Sequence, residues 1–123
     1  MNWLNSKGMG TMSVERDASV SSALLHAQTK YIESFPDKSR SLSTLLQEFV
    51  DAPKQAQSRE ALHYFLHKIA GSLGMYGYQS ESLIARDAVD AALSSEADIV
   101  VERVKHLINS LDQIISSNEE SGQ

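Results

Sequence analysis

Apolar residues along this chain recur at spacings of three and four, and no segment alternates apolar and polar positions over the length of a strand, so the pattern predicts helices. A first helix is expected from about Ser13 to Ser34, with Leu24, Leu25, Tyr31, Ile32 and Phe35 as its apolar stripe. Pro36 should stop it, because the proline ring disfavours the helical conformation at the residue before it. A second helix, from about Asp37, carries Leu42, Leu45, Leu46, Phe49 and Val50 and stops at Ala52-Pro53, and residues 54–57 form a short connector. Ser58 is expected to cap a third helix whose apolar positions Leu62, Phe65, Leu66, Ile69 and Leu73 mark one face as core. Gly74 and Gly77 should end it. A fourth helix from about Ser80 is expected to bury Leu83, Ile84, Ala88 and Leu93. After the cap signal at Ser94-Ser-Glu-Ala, the fifth carries Ile99, Val100, Val104, Leu107, Ile108, Leu111, Ile114 and Ile115 and is the most strongly amphipathic segment of the chain.

The chain has 123 residues, enough for one domain, and only two prolines and six glycines interrupt it. Short connections imply that consecutive helices pack antiparallel, so the expected fold is all-α, an up-and-down helical bundle. Residues 1–12 lack periodicity and are expected to be a disordered tail or cloning remnant, with Met12 a candidate for the true start; the bundle should occupy residues 13–117 and a polar tail or linker residues 118–123.

Lys plus Arg number 11 and Asp plus Glu 16, a formal net charge of −5, which argues against a surface built to neutralise nucleic-acid phosphates. Cysteine is absent, which removes disulfides, thiolate zinc sites and thiol nucleophiles together and fits a reducing compartment. No secretory signal and no membrane span is legible, so a cytoplasmic protein without membrane insertion is expected. No phosphate loop, dinucleotide fingerprint or Gly-x-Ser-x-Gly elbow is present.

The third helix carries the informative residues. At 100° per residue, His67, Ala70, Gly71 and Gly74 share a face as i, i+3, i+4 and i+7, with His63 one turn before. A glycine inside a helix costs about 1 kcal/mol relative to alanine, so two on one face suggest close approach by something large. The same residues also admit a purely structural account, with Gly74 and Gly77 as cap and turn, Gly71 admitting a neighbouring helix and His67 merely solvated. His63 and His67 have the spacing of a helical metal pair, but Tyr-Phe-Leu lies between them and no third ligand is evident, so no metal site is expected. His26 and His106 read as surface or boundary residues, Tyr76 and Tyr78 as hairpin packing, and Arg86, Asp87 and Asp90 as a solvated face.

The order His67-Lys-Ile-Ala-Gly71-Ser-Leu-Gly74-Met-Tyr-Gly77 resembles the signature of the histidine-containing phosphotransfer (HPt) domain family: His, usually Lys at +3, Gly at +4, often Ser or Ala at +5, and Gly at +10. His67, Gly71, Ser72 and Gly77 match in place. The usual Lys at +3 is Ala70, and a lysine stands instead at +1 as Lys68. The resemblance implies a four-helix bundle with an additional N-terminal helix. It further implies that the chain is a monomeric phosphocarrier rather than an enzyme, in which His67 accepts a phosphoryl group from an aspartate of a receiver domain and later passes it on. Its partners would be a response-regulator receiver domain, a hybrid histidine kinase, or both. It would need no cofactor of its own, the magnesium belonging to the receiver. Lys68, and His63 when protonated, would offset phosphoryl charge; Ala70, Gly71, Gly74 and Ser72 would belong to the stabilising or docking face, and Gly77 to the turn. With Ala70 in place of lysine, a degenerate relative that docks a receiver or kinase without carrying phosphate is the alternative, and a helical adaptor unrelated to phosphorelay is a third reading.

Overall fold

The computed structural model describes residues 21–121, the side chains as far as Glu119. Residues 21–32 are helical and form α1; α2 is Phe35–Asp51, α3 Ala56–Met75, α4 Gln79–Ser94 and α5 Ala97–Ser121. The described residues contain no strand. The expected helix from Ser13 lies outside them as far as residue 20, as does the tail or remnant expected at residues 1–12, and the polar stretch expected as a tail from residue 118 continues α5 to Ser121.

The boundaries follow local chemistry. A turn at 33–34 separates α1 from α2, and Pro36 sits in the first turn of α2, where its missing N–H has no helical partner to lose. α3 begins two residues before Ser58, which is no N-cap: its hydroxyl donates to the carbonyls of Ala52 and Gln55 and ties the connector down. Gly74 lies inside α3. The helix ends at Met75, and the chain reverses at Gly77, where φ is +89° and the Tyr78 amide donates to the Leu73 carbonyl at 2.8 Å. Such a φ strains any residue with a Cβ, and a Cβ there would also lie 2.9 Å from Nε2 of Gln28.

Contacts close into a cycle: α2 packs on α3, α3 on α4, α4 on α5 and α5 on α2. Within two of these pairs, α3–α4 and α2–α5, the start of one helix meets the later part of the other. Arg59, at the start of α3, donates to the carbonyls of Ala92 and Ser95 at the end of α4, and Ser39, early in α2, donates to Asp112, late in α5. The enclosed core is Phe35, Leu42, Leu46 and Phe49 of α2, Leu62, Leu66, Ile69 and Leu73 of α3, and Val100, Val104, Leu107 and Leu111 of α5.

α4 departs from expectation in half of its face. Ala88 is buried and Ile84 packs against the core as expected, but Leu83 and Leu93 are 62% and 60% exposed, and Ser82, Ala85, Ala91 and Ala92 complete the buried side. Small residues let α4 approach its neighbours closely, an arrangement that hydrophobicity does not signal. Leu24, Leu25, Val50 and Ile99 are also exposed rather than core. α1 is fastened to the end of α3: Tyr31 stacks on Tyr76 at 4.3 Å, Gln28 donates to the Tyr76 carbonyl at 2.6 Å, and the Tyr31 hydroxyl lies 2.5 Å from Ser72 Oγ.

Candidate functional site

α3 carries His67 opposite its core stripe. Leu62, Leu66, Ile69 and Leu73 are buried, which fixes the rotation of the helix and turns His67 and Lys68 to solvent. His63, one turn earlier, is half-buried, and its ring lies 6.2 Å from that of His67, with 22° between the planes. An exposed imidazole with an open flank can act as a nucleophile or as a metal ligand, but the described residues hold no group of three His, Cys, Asp or Glu placed to bind a metal ion.

The flank of His67 is divided. At Gly71 an added Cβ would meet nothing within 4 Å, so no part of the described fold requires a glycine there. At Gly74 an added Cβ would lie 3.3 Å from Ser82 Oγ, so this glycine serves the approach of α4 rather than an outside partner. Ala70, expected on the open docking face, is only 4% exposed; its carbonyl accepts a hydrogen bond from Ser82 Oγ at 2.9 Å, and it contributes to the lining of the groove that also contains His67. The bare face expected from one helix is therefore narrowed by α4 to Gly71 and its surroundings.

Two other expected residues are engaged elsewhere. Ser72 donates to the Ile69 carbonyl at 3.2 Å and so accepts from the Tyr31 hydroxyl, a contact with α1 on the side away from His67. Its hydroxyl is thus engaged in fastening α1 to α3. Lys68 holds its ammonium 5.2 Å from the centre of the Tyr64 ring, one turn back along α3. Tyr76 and Tyr78 belong to the packing around Tyr31 and Phe35, as expected. Burial holds the Tyr31 and Tyr78 hydroxyls above the usual tyrosine range and lowers the Lys38 ammonium, which donates to Ser34 and covers the Tyr31 ring.

Between α3 and α4 runs a shallow groove lined by His67, Ala70 and Gly71 on one side and Arg86, Val89 and Asp90 on the other. Arg86 and Asp90, read from sequence as merely solvated, thus share a groove with the histidine. The signal for this lies in the hairpin: residues equidistant from a tight turn face each other, and His67 lies ten residues before Gly77 (77 − 67 = 10) while Arg86 lies nine after it (86 − 77 = 9). No helix among the described residues is long and apolar enough to cross a membrane. No protein-family model, no curated protein and no solved structure matches this chain, so the site stands on its own geometry.

Proposed function

We propose that this chain is a phosphocarrier of the HPt kind: an up-and-down antiparallel four-helix bundle with an additional N-terminal helix, accepting a phosphoryl group on His67 and returning it to a second acceptor. The observation that carries the reading is the exposed His67 beside Gly71, a mid-helix glycine whose missing side chain the described fold does not use. A glycine with no internal duty, one turn from an accessible imidazole, suits close approach by a partner's catalytic pocket. The donor is an aspartyl phosphate of a receiver domain, free-standing or within a hybrid histidine kinase. A lone pair on a neutral imidazole nitrogen of His67 forms the N–P bond as the P–O bond to the aspartate breaks, and the carboxylate leaves with the bonding electrons. Return to a second aspartate reverses these bond changes. Positioning and charge compensation carry such a transfer, so the chain needs no cofactor of its own and the magnesium stays with the receiver. On this reading the protein is a cytoplasmic monomer without independent turnover.

The test mixes the chain with a phosphorylated receiver domain and magnesium and looks for acid-labile, base-stable phosphate. Label is expected on the wild type and absent from His67→Gln, which should fold normally because the residue is exposed. Label retained in His67→Gln would sink the assignment. A second reading, a degenerate module that docks a receiver without carrying phosphate, draws on Ala70 standing where the family usually has lysine. Binding to a receiver with no label on the chain would select it, and neither label nor binding would leave a helical adaptor.

A further inference from the structure

α3 and α4 carry three cations between them, Arg59, Lys68 and Arg86, and their positions differ sharply. Arg59 is held at the far end of the hairpin by the carbonyls of Ala92 and Ser95. Lys68 rests over Tyr64. Arg86 lines the groove that contains His67 and Gly71, its side chain is exposed, and among the described residues no carboxylate lies within ion-pair distance of it, although the adjacent Asp87 faces Arg103 at 3.9 Å. At position 70, where the resemblance leads one to expect a lysine, there is a buried methyl group.

Resting on the phosphocarrier reading, we propose that Arg86 is the phosphoryl-binding cation of this site, reaching across the α3–α4 groove to the oxygens of a phosphoryl group on His67 and supplying from α4 the charge that Ala70 does not supply from α3. A guanidinium remains charged throughout the working pH range and offers donors in a planar fork that matches two phosphoryl oxygens. The groove makes its presence necessary. Its other ionisable groups are His67 itself and Asp90, one turn beyond Arg86 on the same wall. Asp90 repels a phosphoryl dianion, so without Arg86 the groove would oppose the group it is meant to hold. The two side chains therefore set the charge balance in opposite senses. Gly71 keeps the path between the two helices clear, since a side chain there would project into the same groove.

The test needs no partner protein. The chain is phosphorylated with phosphoramidate, a small phosphoryl donor, and the second ionisation of the phosphohistidine is followed by phosphorus NMR in the wild type, Arg86→Gln, Arg86→Lys and Asp90→Asn. Lys105→Gln removes the same charge from the groove between α2 and α5 and controls for net charge. In Arg86→Gln the phosphoryl pKa should rise by about one unit, a tenfold change in proton affinity, because an adjacent cation favours the dianion. Arg86→Lys should retain much of the wild-type value, Asp90→Asn should move it down, and Lys105→Gln should leave it in place. A phosphoryl group on His67 that titrates identically in wild type and Arg86→Gln would overturn the role of Arg86 while leaving the phosphocarrier reading standing. A wild-type His67 labelled neither by phosphoramidate nor by phosphorylated receivers would overturn both.

Discussion

Gly71 and Gly74 lie three residues apart on α3, yet they answer to different demands. Gly74 faces α4, and Ser82 occupies the space just beyond where its side chain would begin. Gly71 faces open groove, with no atom beyond its own turns of helix within 4 Å of the place a Cβ would take. The first is explained by folding. The second is not: this residue costs helix stability without repaying it in packing, and the proposed phosphocarrier function gives it a use as the open flank of His67. Smallness at the two positions thus has a packing reason in one case and none within the described fold in the other.

Substitutions at the two positions should split accordingly. The largest effect is expected from Gly71→Leu, which should slow phosphoryl transfer at least about 100-fold by displacing the incoming phosphoryl group, with a melting curve close to wild type. Normal transfer in a folded Gly71→Leu protein would show that the open flank docks nothing. Gly74→Leu should do the reverse: about 1–3 kcal/mol of stability lost in urea titration as Ser82 is forced off α3, with transfer reduced only as far as the fold is. Tyr31→Phe tests the packed end of α3, where loss of the hydroxyl bond to Ser72 should cost about 1 kcal/mol. A gain of about 0.5–1 kcal/mol is the expected outcome for Gly71→Ala by the same titration, since the methyl meets no neighbour and alanine favours the helix. A loss there would mean that the flank is not open after all.

The smallest effect concerns alkaline pH. Burial raises the Tyr31 and Tyr78 hydroxyls above their ordinary value of 10.0, so the native state keeps their protons longer than the unfolded chain does. Their stabilising share is complete below pH 10 and declines as pH rises through the folded values. Lys38, lowered by burial, acts in the opposite sense below its ordinary 10.5. Above pH 10.5 only the tyrosine effect is left, so net stability should fall there, with a shallower slope in Tyr31→Phe; an unchanged slope would exclude Tyr31 as a source.

How much of this was legible in the sequence follows the same division. The cores of α3 and α5 were legible because Leu62, Leu66, Ile69 and Leu73, and Val100, Val104, Leu107 and Leu111, are large apolar residues at helical spacing. α4 is only half legible: Ala88 and Ile84 turn inward as their spacing predicts, but the rest of the inner face is alanine and serine while Leu83 and Leu93 are exposed, so hydrophobicity there indicates the wrong side. Ser58 is no cap because its hydroxyl has partners in the preceding connector. At the site, the grouping of His67 with Gly71 followed from spacing on one helix. That Ala70 is buried, that Gly74 lies close against Ser82, that Ser72 bonds Tyr31, and that Arg86 lines the same groove as the histidine all depend on neighbouring helices, which periodicity within α3 does not report.

The reversal at Gly77 has a further consequence. Only Tyr76, Gly77 and Tyr78 join α3 to α4, and the connection is fixed by the positive φ of Gly77 and by Gln28 of α1, which donates to the Tyr76 carbonyl. Such a connection works like the meshing point of two gears, setting which tooth of α4 meets which tooth of α3. One residue inserted in the first turn of α4, just beyond this fixed connection, would turn the rest of α4 by about 100°, carrying Arg86 out of the groove and rotating Ser82, Ala85 and Ala88 out of the core together. Chain length between this connection and Arg86 is therefore under the same constraint as the identity of the site residues, although none of the three connecting residues lines the groove.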